Sequence, residues 1–210
     1  MYGLGLALQN ASKMLTDRGY RAVSGLLAQP EAQPPAEPYD LSGAVYASSR
    51  AADCSLGEAV RSTFRDALGH TLMLWCFDRN YDTAKGRDRM ISTDQVKALQ
   101  ELFFAVETSV EHLVLSPTKL SPQAKKERLD AELFLFDELL IDIPRHELVV
   151  PHKVVSEADV KSVLGTALKT SDLPVMLRSD AMARWYNWPI GTLVFIDNPE
   201  VPSYRIVSDG

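Results

Sequence analysis

Apolar residues recur at helical spacing from the first turn of the chain. Leu4, Leu8, Ala11 and Leu15, joined by Ala7 and Met14, line one face of a helix. Gly19 in TDRGY is placed to cap its C-terminus, with Arg18 in the favourable last turn. The pattern then breaks. SGLLAQPEAQPPAEPYD, within residues 24–50, carries Pro30, Pro34, Pro35 and Pro38, which exclude a continuous helix and remove ladder donors, so a surface loop is predicted. GEAVRSTFRDAL (57–68) reads as a short helix. HTLMLWCFD (70–78) is a compact apolar run and reads as a buried strand, followed by a charged loop over 78–90. Ser92 and Gln95 form a capping-box pattern ahead of Val96, Leu99, Phe103 and Phe104. EHLVLS (111–116) is a strand, SPTKLSPQAKKERLD (116–130) a loop, and ELFLFDELLIDIP (132–144) two adjoining extended segments.

Pro144 marks a boundary. Beyond it HELVVPHKVV is extended. SEADVKSVLGTAL is a helix with Ser156 as N-cap and Asp159 closing a capping box. TSDLPVMLRSD is a loop with a short extended stretch, and SDAMARWYNW is a second short helix capped by Ser179 or Asp180. GTLVFIDNP and PSYRIVS are strands joined by an Asn-Pro turn. The alternation of elements predicts an α+β chain with two domains, 1–143 and 144–210. The second is small enough to lean on a partner.

Composition narrows the class. With 46% hydrophobic and 24% charged residues, the 210-residue chain has the balance of a globular protein. A net charge of −6 argues against a free-standing nucleic-acid binder, although not against one local basic contact. No apolar run reaches the roughly 18–20 residues that cross a bilayer, and the start lacks a basic region ahead of its apolar stretch, so no membrane role and no signal peptide are expected. Cys54 and Cys76 stand alone and read as reduced thiols.

Candidate chemistry is sparse. His146 and His152, six positions apart, would share one face of a strand. Zinc asks for three or four ligands at closer spacing, so polar tips bonded to backbone or to a partner surface are expected instead of a metal. Asp159-Val160-Lys161 is the one D-x-K, and it falls in the first turn of a capped helix, where acids serve the helix dipole. A nuclease would need further carboxylates around a divalent ion. Phosphate loops and nucleophile elbows are missing, so no catalytic, metal or cofactor-binding residue and no small-molecule substrate is expected. Lys119, Lys125, Lys126 and Arg128 form a basic Ser/Pro loop able to reach phosphates without reading bases. Trp185, Tyr186 and Trp188 suit core packing or a protein interface better than base stacking.

HELVVPHKVVS, then DLP (172–174), D-x-x-A-R-W (180–185), Gly191 and SYRIV (203–207) occur in an order and spacing that resemble the C-terminal domain of the fifth subunit shared by the eukaryotic nuclear RNA polymerases. That domain is similar to a small subunit of the archaeal RNA polymerase. KMLTDRGY (13–20) resembles the N-terminal helix of the same family, and LSPQAKK (120–126) a short proline-containing loop of its jaw domain. The resemblance implies an N-terminal α/β jaw domain of nuclease-like, non-catalytic fold. It also implies a small C-terminal mixed α/β assembly domain that docks on the largest polymerase subunit beside the other subunits. Carried over, Ser121, Pro122, Gln123, Ala124 and Lys125 face the backbone of downstream duplex DNA. His146, His152, Arg184, Trp185, Tyr204 and Arg205 are the expected subunit interface. A nuclear location follows, nucleolar if the chain serves polymerase I.

The chain also departs from the family. Around Gly191 the family runs roughly R-G-x-V-V-K-I-x-R, whereas this chain has Ile190-Gly191-Thr192-Leu193-Val194-Phe195-Ile196-Asp197-Asn198, without the basic groups and with an added acid. Ala181 stands where the family has proline. The chain reads as a divergent or lineage-specific version, cellular or viral. Three roles are carried forward: a non-catalytic polymerase subunit, an enzyme of nuclease-like ancestry, and a polymerase-associated regulator or scaffold that borrowed the C-terminal module.

Overall fold

The computed structural model describes residues 2–25, 62–77, 81–82, 87–106, 109–165 and 169–209. They form two compact units, Met1–Leu140 and Ile141–Gly210, each mixed α and β.

The first unit is built on a five-stranded sheet. Its strands are β1 (Arg21–Gly25), β2 (Ser62–Arg65), β3 (Thr71–Cys76), β6 (Val110–Ser116) and β7 (Glu132–Leu135), adjacent in that order. The β1–β2 and β2–β3 pairs are antiparallel, and β3–β6 and β6–β7 are parallel. Two short strands, β4 (Tyr81–Asp82) and β5 (Arg87–Asp88), pair separately.

Helices cover both faces. Helix α1 (Tyr2–Asp17) buries Ala7, Leu8, Ala11, Met14 and Leu15 completely, on the stripe the spacing predicts. It ends in a Schellman motif: Tyr20 N–H donates to the Leu15 carbonyl and Gly19 N–H to that of Thr16, both at 2.9 Å. Gly19 takes a φ of +90°, which an L-side chain rarely adopts. Arg18 also reaches beyond the helix end to the sheet. It lies across β7, its guanidinium on both oxygens of Glu132 at 2.7 and 3.0 Å. Tyr20 hydroxyl donates to Glu111 at 3.2 Å. Glu111 alternates with Leu113 and Leu115, and Glu132 is in register with Leu113, so α1 covers the face that buries Leu72, Leu74, Leu113 and Leu115.

Helix α2 (Thr93–Phe104) covers the opposite face. Its capping box is complete, with Gln95 N–H on Ser92 Oγ at 3.3 Å and Ser92 N–H on Gln95 Oε1 at 3.0 Å. Val96, Leu99 and Phe103 pack on Trp75, Val114 and Phe77. His112 belongs to this layer. It stacks on Phe103 with ring centroids 3.9 Å apart, and its Nδ1 accepts from Trp75 Nε1–H at 3.1 Å. Burial holds this imidazole below the ordinary histidine value, against the upward pull of Asp130.

Burial, then the Glu111 charge and hydrogen bond, push the Tyr20 phenol up to about 12. The folded state therefore favours the neutral phenol. Its stabilisation is complete below the unfolded value of about 10 and is lost as pH climbs towards 12. Phenolate absorbance should show one tyrosine titrating late. Glu111→Gln should bring that titration down, and an unchanged curve would contradict the pairing.

Three expectations for this unit need correction. Residues 62–65 are strand β2, not part of a helix over 57–68, because alternation buries Ser62 and Phe64 against β3. Residues 57–61 lie outside the described residues. Ser24 and Gly25 belong to β1, while 26–50 also lie outside. The stretch 132–144 is extended only to Leu135. Phe136–Leu139 and Ile143–Arg145 are 3₁₀ turns, the first capped by the Glu138 carboxylate on Leu135 N–H at 2.7 Å.

The second unit is a four-stranded sheet in the order β8 (His152–Val154), β10 (Leu193–Ile196), β11 (Ser203–Ser208), β9 (Val175–Leu177). Of its three pairs, β11–β9 is parallel and the others antiparallel. Helix α3 (Glu157–Leu164) starts at Ser156 and stops at Gly165, whose φ is +63°. Helix α4 (Ala181–Tyr186) starts at Asp180, whose carboxylate accepts Met182 N–H at 2.9 Å, and ends at Asn187 in the left-handed region. Met176, Met182, Ala183, Trp188, Val194 and Val207 form the core.

Candidate functional site

The basic loop is the β6–β7 crossover, and it is firmly built. It leaves the carboxyl end of β6, the edge at which open α/β sheets commonly present their ligand-facing loops. Ile91 N–H donates to the Lys119 carbonyl at 3.3 Å, and Ser121 N–H to the Ile91 carbonyl at 2.9 Å. Thr118 Oγ1 donates to the Arg89 carbonyl at 2.9 Å. The loop thus carries exposed Arg89 alongside it. Arg89 was not singled out in the sequence, because its neighbourhood with Lys119 is made by backbone pairing across almost thirty residues.

From Ser121 the chain makes the short turn Ala124–Lys126. Ala124 N–H donates to Ser121 Oγ at 3.2 Å, and Lys125 N–H to the Ser121 carbonyl at 2.9 Å. Ala124 is fully buried under α2, so its methyl anchors the turn and cannot touch a ligand. Pro122, Gln123, Lys125 and Lys126 stay exposed around it, and Ser121 is half-buried. Glu127 lies near Lys97 at 3.8 Å, which leaves the lysines as the reaching groups of the turn. Flexible ammonium groups on a fixed turn suit phosphate contact without base readout.

His146 and His152 do not share a strand face. Residues 146–148 turn, and β8 begins only at His152. His146 Nδ1 accepts from Leu148 N–H at 3.2 Å, so its proton sits on Nε2. His152 Nδ1 makes a 2.7 Å bond to the Val150 carbonyl and must be the donor. The two imidazoles thus use Nδ1 in opposite senses, one accepting and one donating, each serving the local backbone. His70 is held the same way by Asp66, at 2.7 Å. Among the described residues no three His, Cys, Asp or Glu side chains gather as a metal would require.

Asp159 and Lys161 divide in the same manner. Asp159 Oδ2 accepts the Ser156 hydroxyl at 2.6 Å while Asp159 N–H donates back to Ser156 Oγ at 3.3 Å. This is a reciprocal cap, with the hydroxyl in place of the backbone N–H of the expected capping box.

The aromatic cluster is core. Trp185 is 1% exposed, and Trp188 stacks on Tyr186 with centroids 5.1 Å apart. The Trp185 ring is thus buried in the chain itself and leaves almost no surface for a partner. Tyr204 and Arg205 point to opposite sides of the sheet. Tyr204 pairs across from Phe195, with centroids 5.0 Å apart, whereas Arg205 pairs across from Val194. Register adds residues that the sequence reading missed: Val175 and Leu177, both about half exposed, share the Tyr204 face. Their signal was the unbroken apolar run Val175-Met176-Leu177, of which β9 buries only the middle member. Asp197, the acid absent from the family pattern, is held by Lys153 Nζ at 2.8 Å.

Comparison with known proteins places the second unit. Residues 141–208 match the family model for the RNA polymerase Rpb5 C-terminal domain. The subunits named RPABC1 of DNA-directed RNA polymerases I, II and III from Caenorhabditis briggsae and Caenorhabditis elegans are each 30% identical over 103 residues, covering 46% of this chain. The chain spans about half the length of these curated relatives, 49% in each case. Residues 141–208 are therefore similar to an Rpb5 C-terminal domain, in a chain that is itself similar to this polymerase subunit over about half its length.

Proposed function

We propose that the chain is a non-catalytic subunit of a nuclear DNA-directed RNA polymerase. The observation that carries this reading is the Rpb5 C-terminal domain over 141–208, with its own core and an open sheet face bearing Tyr204, Val175 and Leu177. In this reading the second unit docks on the largest subunit, and the first is a jaw whose Lys119–Lys126 turn lies against downstream duplex. The work is mechanical. The Ser156 cap engages Asp159 of the one D-x-K, and a local backbone bond engages one ring nitrogen of each of His146 and His152, so this reading asks no acid–base or metal step of them. With a net charge of −6, the isolated chain should hold duplex weakly, the loop acting only when the assembly presents it.

Affinity purification through a tag on this chain, followed by a high-salt wash, tests the reading. A core subunit stays stoichiometric with the two largest polymerase subunits. The second reading, a regulator using the same module, is favoured by the acid at Asp197 in place of the family's basic groups, and predicts loss in the wash. A chain that never recovers polymerase would overturn both.

A further inference from the structure

Two Ser-Pro dipeptides lie on the β6–β7 crossover, and the fold treats them oppositely. Ser116 ends β6 with no exposed surface, its hydroxyl donating to the Thr118 carbonyl at 2.5 Å. Ser121 is half-buried on the turn that exposes Pro122, Gln123, Lys125 and Lys126. Its Oγ accepts a single 3.2 Å bond, from Ala124 N–H. Presenting Ser121 in extended form breaks that bond and the one from Lys125 N–H, and loosens the one its own N–H makes to the Ile91 carbonyl, all within the crossover and outside the five-stranded sheet. Presenting Ser116 would dismantle the end of a central strand.

We propose that Ser121 is a phosphorylation site for a proline-directed protein kinase. Ser121 Oγ attacks the γ-phosphorus of the kinase-bound nucleoside triphosphate. The Oγ–P bond forms, the bond from the γ-phosphorus to the β–γ bridging oxygen breaks, and the nucleoside diphosphate leaves with the electron pair. The hydroxyl proton passes to the kinase's general base. The product carries a charge of about −1.5 to −2. Lys125 is four residues on, and its N–H bonds the Ser121 carbonyl, the helical spacing at which side chains face each other. The phosphate therefore pairs with the Lys125 ammonium and cancels up to about half the positive charge of Lys119, Lys125, Lys126 and Arg128. Its effect on duplex contact rests on the jaw reading above, whereas the modification itself does not.

The full folded chain and a peptide spanning 112–128 are incubated with a proline-directed kinase and ATP, and the sites are read by mass spectrometry. The peptide should take phosphate at both serines. The folded chain should take it at Ser121, with Ser116 modified at least about tenfold less, and Ser121→Ala should abolish it. Equal labelling of both serines in the folded chain, labelling of the peptide alone, or no labelling of either substrate overturns the proposal. In assembled polymerase, phosphorylation should lower the salt slope of duplex retention by about one. Ser121 modified with an unchanged slope would uphold the site and reject the DNA-facing role of the loop.

Discussion

Trp185→Ala unfolds the unit formed by residues 141–210. The indole is 1% exposed in α4, on the helix that also supplies Met182 and Ala183 to the core. Truncating a buried tryptophan removes its transfer free energy and leaves a cavity, together about 3–5 kcal/mol. A unit of this size has a total stability of roughly 4–10 kcal/mol at about 0.05–0.15 kcal/mol per residue, and little of it survives the loss. Limited proteolysis should cut rapidly within 141–210, and the near-ultraviolet signal of the stacked Tyr186–Trp188 pair should disappear. Arg205→Ala, an exposed change on β11, should stay within about 0.5 kcal/mol of the parent. The contrast separates a core tryptophan from a docking one. A variant that kept its protease resistance and near-ultraviolet spectrum while losing polymerase would restore Trp185 to the interface.

Arg18→Ala should have the next largest effect, a loss of about 2–4 kcal/mol from the first unit. The Arg18 side chain is 5% exposed and holds both oxygens of Glu132, which is 27% exposed. Removing one partner of a buried pair costs about 3–5 kcal/mol because the other charge is left without compensation. The partial exposure of Glu132 lets water recover some of that. Arg18→Lys should fall between, since an ammonium cannot match the bidentate geometry. A double-mutant cycle with Glu132→Gln, followed by urea unfolding, isolates the pair. A coupling near zero, or one abolished by moderate salt, would mean the bridge behaves as a surface pair.

Much of this architecture is written locally. The stripe Leu8–Ala11–Leu15, the Gly19 stop and the Ser92/Gln95 box each declare a helix within a few residues, and each forms. What local pattern could not declare is pairing at a distance. STFR at 62–65 carries ordinary helical propensities, yet its place between β1 and β3 makes it a strand. Nothing in TDRGY says that Arg18 belongs to Glu132, more than a hundred residues away. The site follows the same division. The lysines of the crossover and the reciprocal cap at Asp159 were legible. The burial of Ala124 and Trp185, and the company of Arg89, come from long-range packing that a single sequence does not print.

Gly25 and Ser62 are ladder partners, so the chain leaves the sheet at the end of β1 and re-enters it at the adjacent position of β2. The β1–β2 ladder is therefore closed at that end by the Gly25–Ser62 pair itself. Loop-closure entropy grows only logarithmically, by about 0.6 kcal/mol for each doubling of length. The register of β1 on β2 is therefore set by the paired strands and depends only weakly on the length of chain that joins them.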